Sequence, residues 1–275
     1  MSEPGNAPTV APRDLAASGG VSIEGRQLGK SFTTRGGEVR AIDQVSFAVN
    51  GGEFVSLIGP SGCGKSTLML MCAGLLPPTQ GEVLIDGRRL DRPLTDVGIV
   101  FQDHLLLDFR TALDNILLQA HIRRQPIRAV REHALVLLEK LGIRQAADQY
   151  PKQLSGGMRQ RVSIARALIH APSTLLMDEP FGALDAITRT QIRHDLELLW
   201  METRKTVLFI THSVDEAIGL SDRVLVMSPS PGRIVDEICI DLPRPRPSHL
   251  GEYPSFNVHA ERIHSAFRKL GVIKY

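Results

Sequence analysis

The chain has 275 residues, 43% of them hydrophobic and 23% charged, with a formal net charge of +2. That length suits one large α/β domain or two small ones, and a near-neutral charge without a long basic block gives no support to a nucleic-acid partner. No apolar run approaches the roughly 18–20 residues that span a bilayer.

Met1 to Gly20 is rich in Pro, Ala, Gly and Ser and lacks the basic start and apolar core of a secretion signal. A disordered tail is expected there. Val21 to Phe32 and Val39 to Val49 alternate as strands do, and Asn50-Gly51-Gly52 reads as a turn. Glu53 to Ile58 is a short apolar strand feeding a glycine loop, and Lys65 to Gly74 is the helix after it. The longest apolar-rich stretch, Thr67 to Leu76, carries Gly74 and is ended by Pro77 and Pro78, so the chain is not expected to cross a membrane by itself. Gly81 to Asp86 and Val97 to Phe101 are further strands.

From Thr111 to His170 the period becomes helical. Leu113, Ile116, Leu117 and Ala120 share one face, as do Ala134, Leu135, Leu138 and Leu141, which predicts a separate helical subdomain ending in the helix after Ser155. Strands at Leu175 to Met177, Val207 to Ile210 and Arg223 to Met227 then alternate with helices at Ala186 to Glu202 and Val214 to Leu220. That alternation predicts a parallel sheet, which Ile234 to Ile240 closes. Leu242 to Pro247 is stiff and extended because of its three prolines. Phe256 to Leu270 reads as one amphipathic helix, and the thirty or so residues past the prolines are too few for an independent regulatory domain. The three cysteines, Cys63, Cys72 and Cys239, form no CxxC pair and no metal spacing, which suits a reducing cytosol.

Three segments carry chemistry. Gly59-Pro60-Ser61-Gly62-Cys63-Gly64-Lys65-Ser66-Thr67 matches G-x4-G-K-[ST], with a strand before it and a helix after it. Its glycines let backbone N–H groups turn toward phosphate oxygens, and the following helix adds its positive end. Lys65 is expected on the β- and γ-phosphates and Ser66 on Mg²⁺. Leu175 to Glu179 is an apolar strand ending in two acids. Asp178 would orient Mg²⁺, and Glu179, pointing elsewhere, would polarise an attacking water. Two acids at a strand end also suit a solvated turn, but the glycine loop upstream favours the functional reading. Ser155-Gly156-Gly157 opens a helix with Ser155 as a plausible N-cap. An ordinary capped helix would look the same. Cys63 inside the loop is read as a small filler rather than a redox switch.

Taken together and in this order, the glycine loop, Leu154-Ser155-Gly156-Gly157-Met158 and Leu175-Leu176-Met177-Asp178-Glu179-Pro180 resemble the ATP-binding cassette (ABC) ATPases. Gln160 to Leu168 continues like the signature helix of that family. The resemblance implies an α/β fold, a P-loop NTPase cassette with a RecA-like parallel-sheet core, an antiparallel β subdomain and a helical signature subdomain over about 103–170. It implies ATP and Mg²⁺ as cofactors. The family's signature loop, here Ser155, Gly156 and Gly157, faces the γ-phosphate on the opposite subunit, so a head-to-tail homodimer is implied. Gln102 resembles the Q-loop glutamine that senses Mg²⁺ and the attacking water. Leu184-Asp185 resembles the D-loop, and His212 the switch histidine. Phe32 sits where the family places an aromatic on adenine, although a Phe at a strand end also suits a core. A bulky thiol reagent reacting at Cys63 is expected to inhibit ATPase activity, with ATP protecting.

Within the family, Pro180 to Asp185 has the form typical of bacterial importers. Met227-Ser228-Pro229-Ser230-Pro231-Gly232-Arg233-Ile234 and Leu242 to Arg246 look like the nitrate, sulfonate and taurine importer ATPases, a resemblance covering residues 21–247. It implies a peripheral subunit on the cytoplasmic face of the cell membrane, working with permease subunits and, through them, a substrate-binding protein. One stretch departs: Asp108-Phe109 stands before Arg110-Thr111 where the group has Pro-Trp. It lies where a permease docks in the family, and either a different permease or surface drift would account for it. Two other classes stay open at this point. A soluble ABC protein acting on nucleic acid or in assembly would show salt-sensitive nucleic-acid binding. A P-loop kinase would have no use for Ser155-Gly156-Gly157.

Overall fold

A computed structural model describes residues 20–247 and 249–273. The expected N-terminal tail therefore lies, but for Gly20, outside the described residues. Two sheets carry the chain. The first is antiparallel, in the order β2-β1-β4-β5, from β1 (Ile23–Thr34), β2 (Gly37–Val49), β4 (Gln80–Ile85) and the two-residue β5 (Arg88–Arg89). In β2, Val45, Phe47 and Val49 are buried and alternate with exposed residues, the two-residue period of a half-covered strand.

The second sheet has the order β10-β9-β3-β8-β7-β6. Its strands are β3 (Phe54–Ile58), β6 (Val97–Val100), β7 (Thr174–Asp178), β8 (Thr206–Thr211), β9 (Arg223–Met227) and β10 (Ile234–Cys239). All pairings are parallel except β10 on β9. Every residue of β3, β7 and β8 is buried. That is why these strands read as continuous apolar runs: both faces are covered.

Helix α1 (Lys65–Cys72) follows β3. Helices α2 (Ala112–Ile122), α3 (Ile127–Lys140) and α4 (Gly156–Leu168) form the helical block. Leu113, Ile116, Leu117 and Ala120 are buried on α2 as expected. On α3 the buried stripe is Ala134, Leu137 and Leu138, continued by Leu141. Leu135 is only partly buried, which corrects the face expected from the sequence. The spacing i, i+3, i+4, i+7 keeps one direction on a 3.6-residue helix, whereas Leu135 lies about 100° round from Ala134.

Helix α5 (Ala186–Thr203) ends against β3. Trp200 meets the Phe54 ring edge-on at 5.7 Å, and the guanidinium carbons of Arg204 and Arg244 lie 4.5 and 4.3 Å from its ring centroid. The proline-rich strap after β10 is tied down by its arginines. Arg244 pairs with Glu197 and Asp222, each at 3.0 Å, and the Arg246 amide donates to Glu197 Oε2 at 3.0 Å. Burial pulls the Arg246 guanidinium down to about 10. After the strap comes α7 (Pro254–Lys269), which buries Phe256, Ile263 and Phe267. They pack with Ile58, Val224, Val226 and Ile238, alongside α6 (Val214–Leu220).

Candidate functional site: a phosphate loop facing two strand-end carboxylates

Strand β3 hands the chain to the glycine loop. Gly64 is the residue before α1, with a left-handed φ of 101° and no side-chain cap. The first amides of α1 are therefore free of a side-chain acceptor, the arrangement that suits a bound anion. Ser61, Gly62 and Ser66 are exposed along the loop, while Lys65 is buried. Lys65 Nζ donates to the carbonyls of Gly59 and Pro60 at 2.9 and 3.1 Å and stands 3.5 Å from Glu179 Oε1.

Glu179 follows the last residue of β7. Its amide donates to the Ile210 carbonyl at 2.9 Å, and its φ of 42° is left-handed. A non-glycine residue held there is strained. The turn carries its carboxylate between two partners, because His212 Nδ1 lies 3.0 Å from Glu179 Oε2. Asp178, the last residue of β7, is buried and accepts a hydrogen bond from the Ser66 hydroxyl. Burial raises its carboxyl above the ordinary range, more than Ser66 and Lys65 lower it. A desolvated carboxylate beside a hydroxyl is a hard oxygen pair suited to Mg²⁺.

The structure thus gathers Gly59 to Ser66, Asp178, Glu179 and His212, whose sequence positions span more than half the chain. Gln102 is exposed, two residues past the Val100–Met177 pair at the end of β6, on the same sheet edge. Thr67 is half-buried on α1. Phe32 is 38% exposed on β1 with Lys30 Nζ 5.3 Å from its ring centroid. It pairs with Val39 of β2, and that strand reaches the loop at Ile42, which packs against Gly64.

Ser155 and Asp185 form a second group. Ser155 Oγ accepts from the Met158 amide at 3.2 Å, and Asp185 Oδ1 from the Thr188 amide at 3.0 Å, so both are N-caps. A Cβ on Gly157 would sit 2.4 Å from Thr188 Cγ2, so α4 and α5 approach closely here and a side chain at 157 would have to displace Thr188. Among the described residues, no hydrogen bond or ion pair joins this group to the glycine loop.

Cys63 is not the accessible thiol expected from the sequence. It is 1% exposed, packed with Met227, and burial pushes its pKa up. Both effects suppress thiolate attack. Exposed Cys239 is therefore the site of first labelling, with Cys72 held at about 12 by burial. Peptide mapping after brief treatment with a maleimide should find Cys239 modified, Cys63 unmodified, and ATPase activity retained. Rapid modification of Cys63 would contradict this.

Sequence reasoning missed Thr211, Glu216 and Arg189. Buried Glu216 accepts from the Thr211 hydroxyl and has Arg189 Nε 3.6 Å from Oε1. In the sequence, Glu216 looked like an acid in the first turn of a short helix, and nothing local marks it as paired with a residue on another helix.

The family profile described as ABC transporter matches residues 42–182. The chain belongs to the ABC transporter ATP-binding proteins. This cassette is 47% identical, over 78% of its length and 82% of the relative's, to a taurine import ATP-binding protein of Rhizobium johnstonii. It is 44% identical, over 80% of its length and 81% of the relative's, to a nitrate import ATP-binding protein of Synechococcus elongatus. A dimeric structure of a bacterial ABC transporter cassette superposes with a TM-score of 0.72 at 33% identity, over 80% of this chain and 99% of that one. The ABC cassette is thus an ATP-binding ATPase with the two-sheet-plus-helical-block fold expected from its sequence. No helix among the described residues is long and apolar enough to cross a membrane.

Proposed function

We propose that this cassette is the ATP-hydrolysing subunit of a bacterial importer. It energises uptake of a small anion or organic solute, an aliphatic sulfonate, taurine or nitrate, through a separate permease on the cytoplasmic face of the membrane. The observation that carries the reading is the Glu179 carboxylate, held between the Lys65 ammonium at 3.5 Å and the His212 imidazole at 3.0 Å at the mouth of a phosphate loop.

Each residue then has a task. The amides of Gly59 to Ser66, with Pro60, Ser61, Cys63 and Thr67 shaping the loop, cradle the phosphates, and Lys65 neutralises the β- and γ-oxygens. Ser66, Asp178 and Gln102 would hold Mg²⁺. When bound, the ion offsets charge developing on the phosphate oxygens. Glu179 accepts the hydrogen bond of the attacking water and takes its proton. His212 keeps that carboxylate aimed and meets the γ-phosphate. Phe32 supports the adenine. Ser155, Gly156, Gly157 and Asp185 of one chain complete the site of a second copy in a head-to-tail dimer. The lack, among the described residues, of an intrachain hydrogen bond or ion pair between those residues and the loop, and the dimeric relative, support that arrangement.

Affinity capture of the tagged chain from gently solubilised membranes, followed by mass spectrometry, tests the importer assignment. A co-purified polytopic permease is the expected result, and its binding protein would narrow the solute. Recovery with nucleic acid or soluble enzymes and no membrane protein would overturn the assignment.

A further inference from the structure

The first turns of α5 and the residues just before them meet the Ser155–Gly157 loop on one side and Glu216, behind the His212 turn, on the other. On one side, Thr188 fills the space that a side chain at Gly157 would need, and Leu184 Cδ2 is 3.8 Å from the corresponding point at Gly156. The start of α4 therefore cannot shift toward α5 without pushing it, since packed interiors transmit displacement. On the other side stands Arg189. Its Nη2 donates to the Leu184 carbonyl at 2.9 Å, fixing it to the loop before α5. Its Nε is buried, has no hydrogen-bond partner, and lies 3.6 Å from Glu216 Oε1.

Glu216 is in turn tied to the switch. It accepts from the Thr211 hydroxyl, and Thr211 Oγ1 accepts from the Ser213 amide at 2.9 Å. The residues on both sides of His212 are thereby held by one carboxylate. His212 Nδ1 in turn lies 3.0 Å from Glu179 Oε2. The Arg189 contact is an ion pair just outside hydrogen-bond range. A shift of roughly 0.7 Å would close it to an ordinary N–H···O bond.

We propose that Arg189 and Glu216 are a positioning pair that couples the seating of one chain's Ser155–Gly157 loop to the aim of His212 and Glu179 in that same chain. In a dimer the loop sits on the partner's ATP, so the pair lets one nucleotide site report its occupancy to the other. This rests on the dimer reading above. The orphaned Arg189 Nε is the bond left open until the loop is seated.

The test uses the full chain and ATP titrations of hydrolysis rate for Arg189→Ala, Glu216→Gln and the double variant. Each single change is expected to lower kcat about tenfold and take the Hill coefficient for ATP from about 2 toward about 1. KM for ATP stays within about twofold, because the glycine loop is untouched. The double variant is expected to be no worse than either single one, since both remove one interaction. Arg189→Lys, which keeps the charge on a half-buried side chain, is expected to restore much of the cooperativity. Multiplicative losses in the double variant, or a lower kcat with an unchanged Hill coefficient, would overturn the proposal. Glu179→Gln separates the two levels. If it dimerises with ATP while Glu216→Gln leaves cooperativity intact, the coupling alone fails. If it stays monomeric and the native chain shows no cooperativity, the dimer reading fails and the coupling falls with it.

Discussion

Glu179→Gln is expected to lower ATP turnover by about three orders of magnitude while leaving ATP binding in place. The amide keeps the shape and an accepting oxygen, but it cannot take a proton from water. It also removes the charge that now sits between Lys65 at 3.5 Å and His212 at 3.0 Å. Nucleotide should still be held, because the loop amides and the Ser66–Asp178 pair are unaltered. With hydrolysis stopped, two ATP molecules remain between two chains. Size-exclusion chromatography of the variant with ATP and Mg²⁺ should show a dimer that dissociates when ADP replaces ATP. Turnover within tenfold of the native chain would remove Glu179 from the role assigned to it, and a monomer at saturating ATP would remove the dimer.

The second large effect is a contrast between two inactive variants. Lys65→Ala removes the charge that the glycine loop holds through the Gly59 and Pro60 carbonyls. Two charge-assisted hydrogen bonds to phosphate are lost, so ATP affinity should fall about a hundredfold. Ser155→Arg acts elsewhere. It removes the cap on α4 and sets a bulky cation where a partner's γ-phosphate would lie, yet among the described residues no hydrogen bond or ion pair joins Ser155 to the chain's own glycine loop. The variant should bind ATP about as the native protein does, measured by equilibrium binding to the monomer, while turnover and ATP-driven dimerisation are abolished. Hydrolysis by Ser155→Arg at the native rate would mean that the site is complete within one chain, as in a kinase.

Much of this was legible in the sequence because the motifs are contiguous. The glycine loop, the strand ending in Asp178-Glu179 and the helix opened at Ser155 each announce their own local structure. The all-buried strands β3, β7 and β8 are apolar runs for the same reason that they are central. What escaped notice depends on contacts between distant segments. The strap was read as stiff from its prolines, but nothing local explains why Arg246 is buried and Arg244 paired; their partner Glu197 is 49 and 47 residues away. Glu216 and Arg189 meet across two helices. Cys63 was read as a small filler whose labelling would inhibit, but the structure turns its thiol inward against Met227, out of reach of a reagent, while the loop's outer face is made by Ser61, Gly62 and Ser66. On α3 the expected face held Leu135 where the structure buries Leu137, about 200° further round the helix.

The cage around Trp200 gives the molecule a built-in optical probe. It is the only tryptophan of the chain, it touches Phe54 at the start of β3, and the glycine loop leaves from the other end of that strand. Its indole emission is therefore remote from bound nucleotide and sensitive to the strap, through the Arg244 guanidinium stacked on one face. A red shift on denaturant titration before the loss of helical circular dichroism would time the release of the C-terminal segment relative to the melting of the sheet.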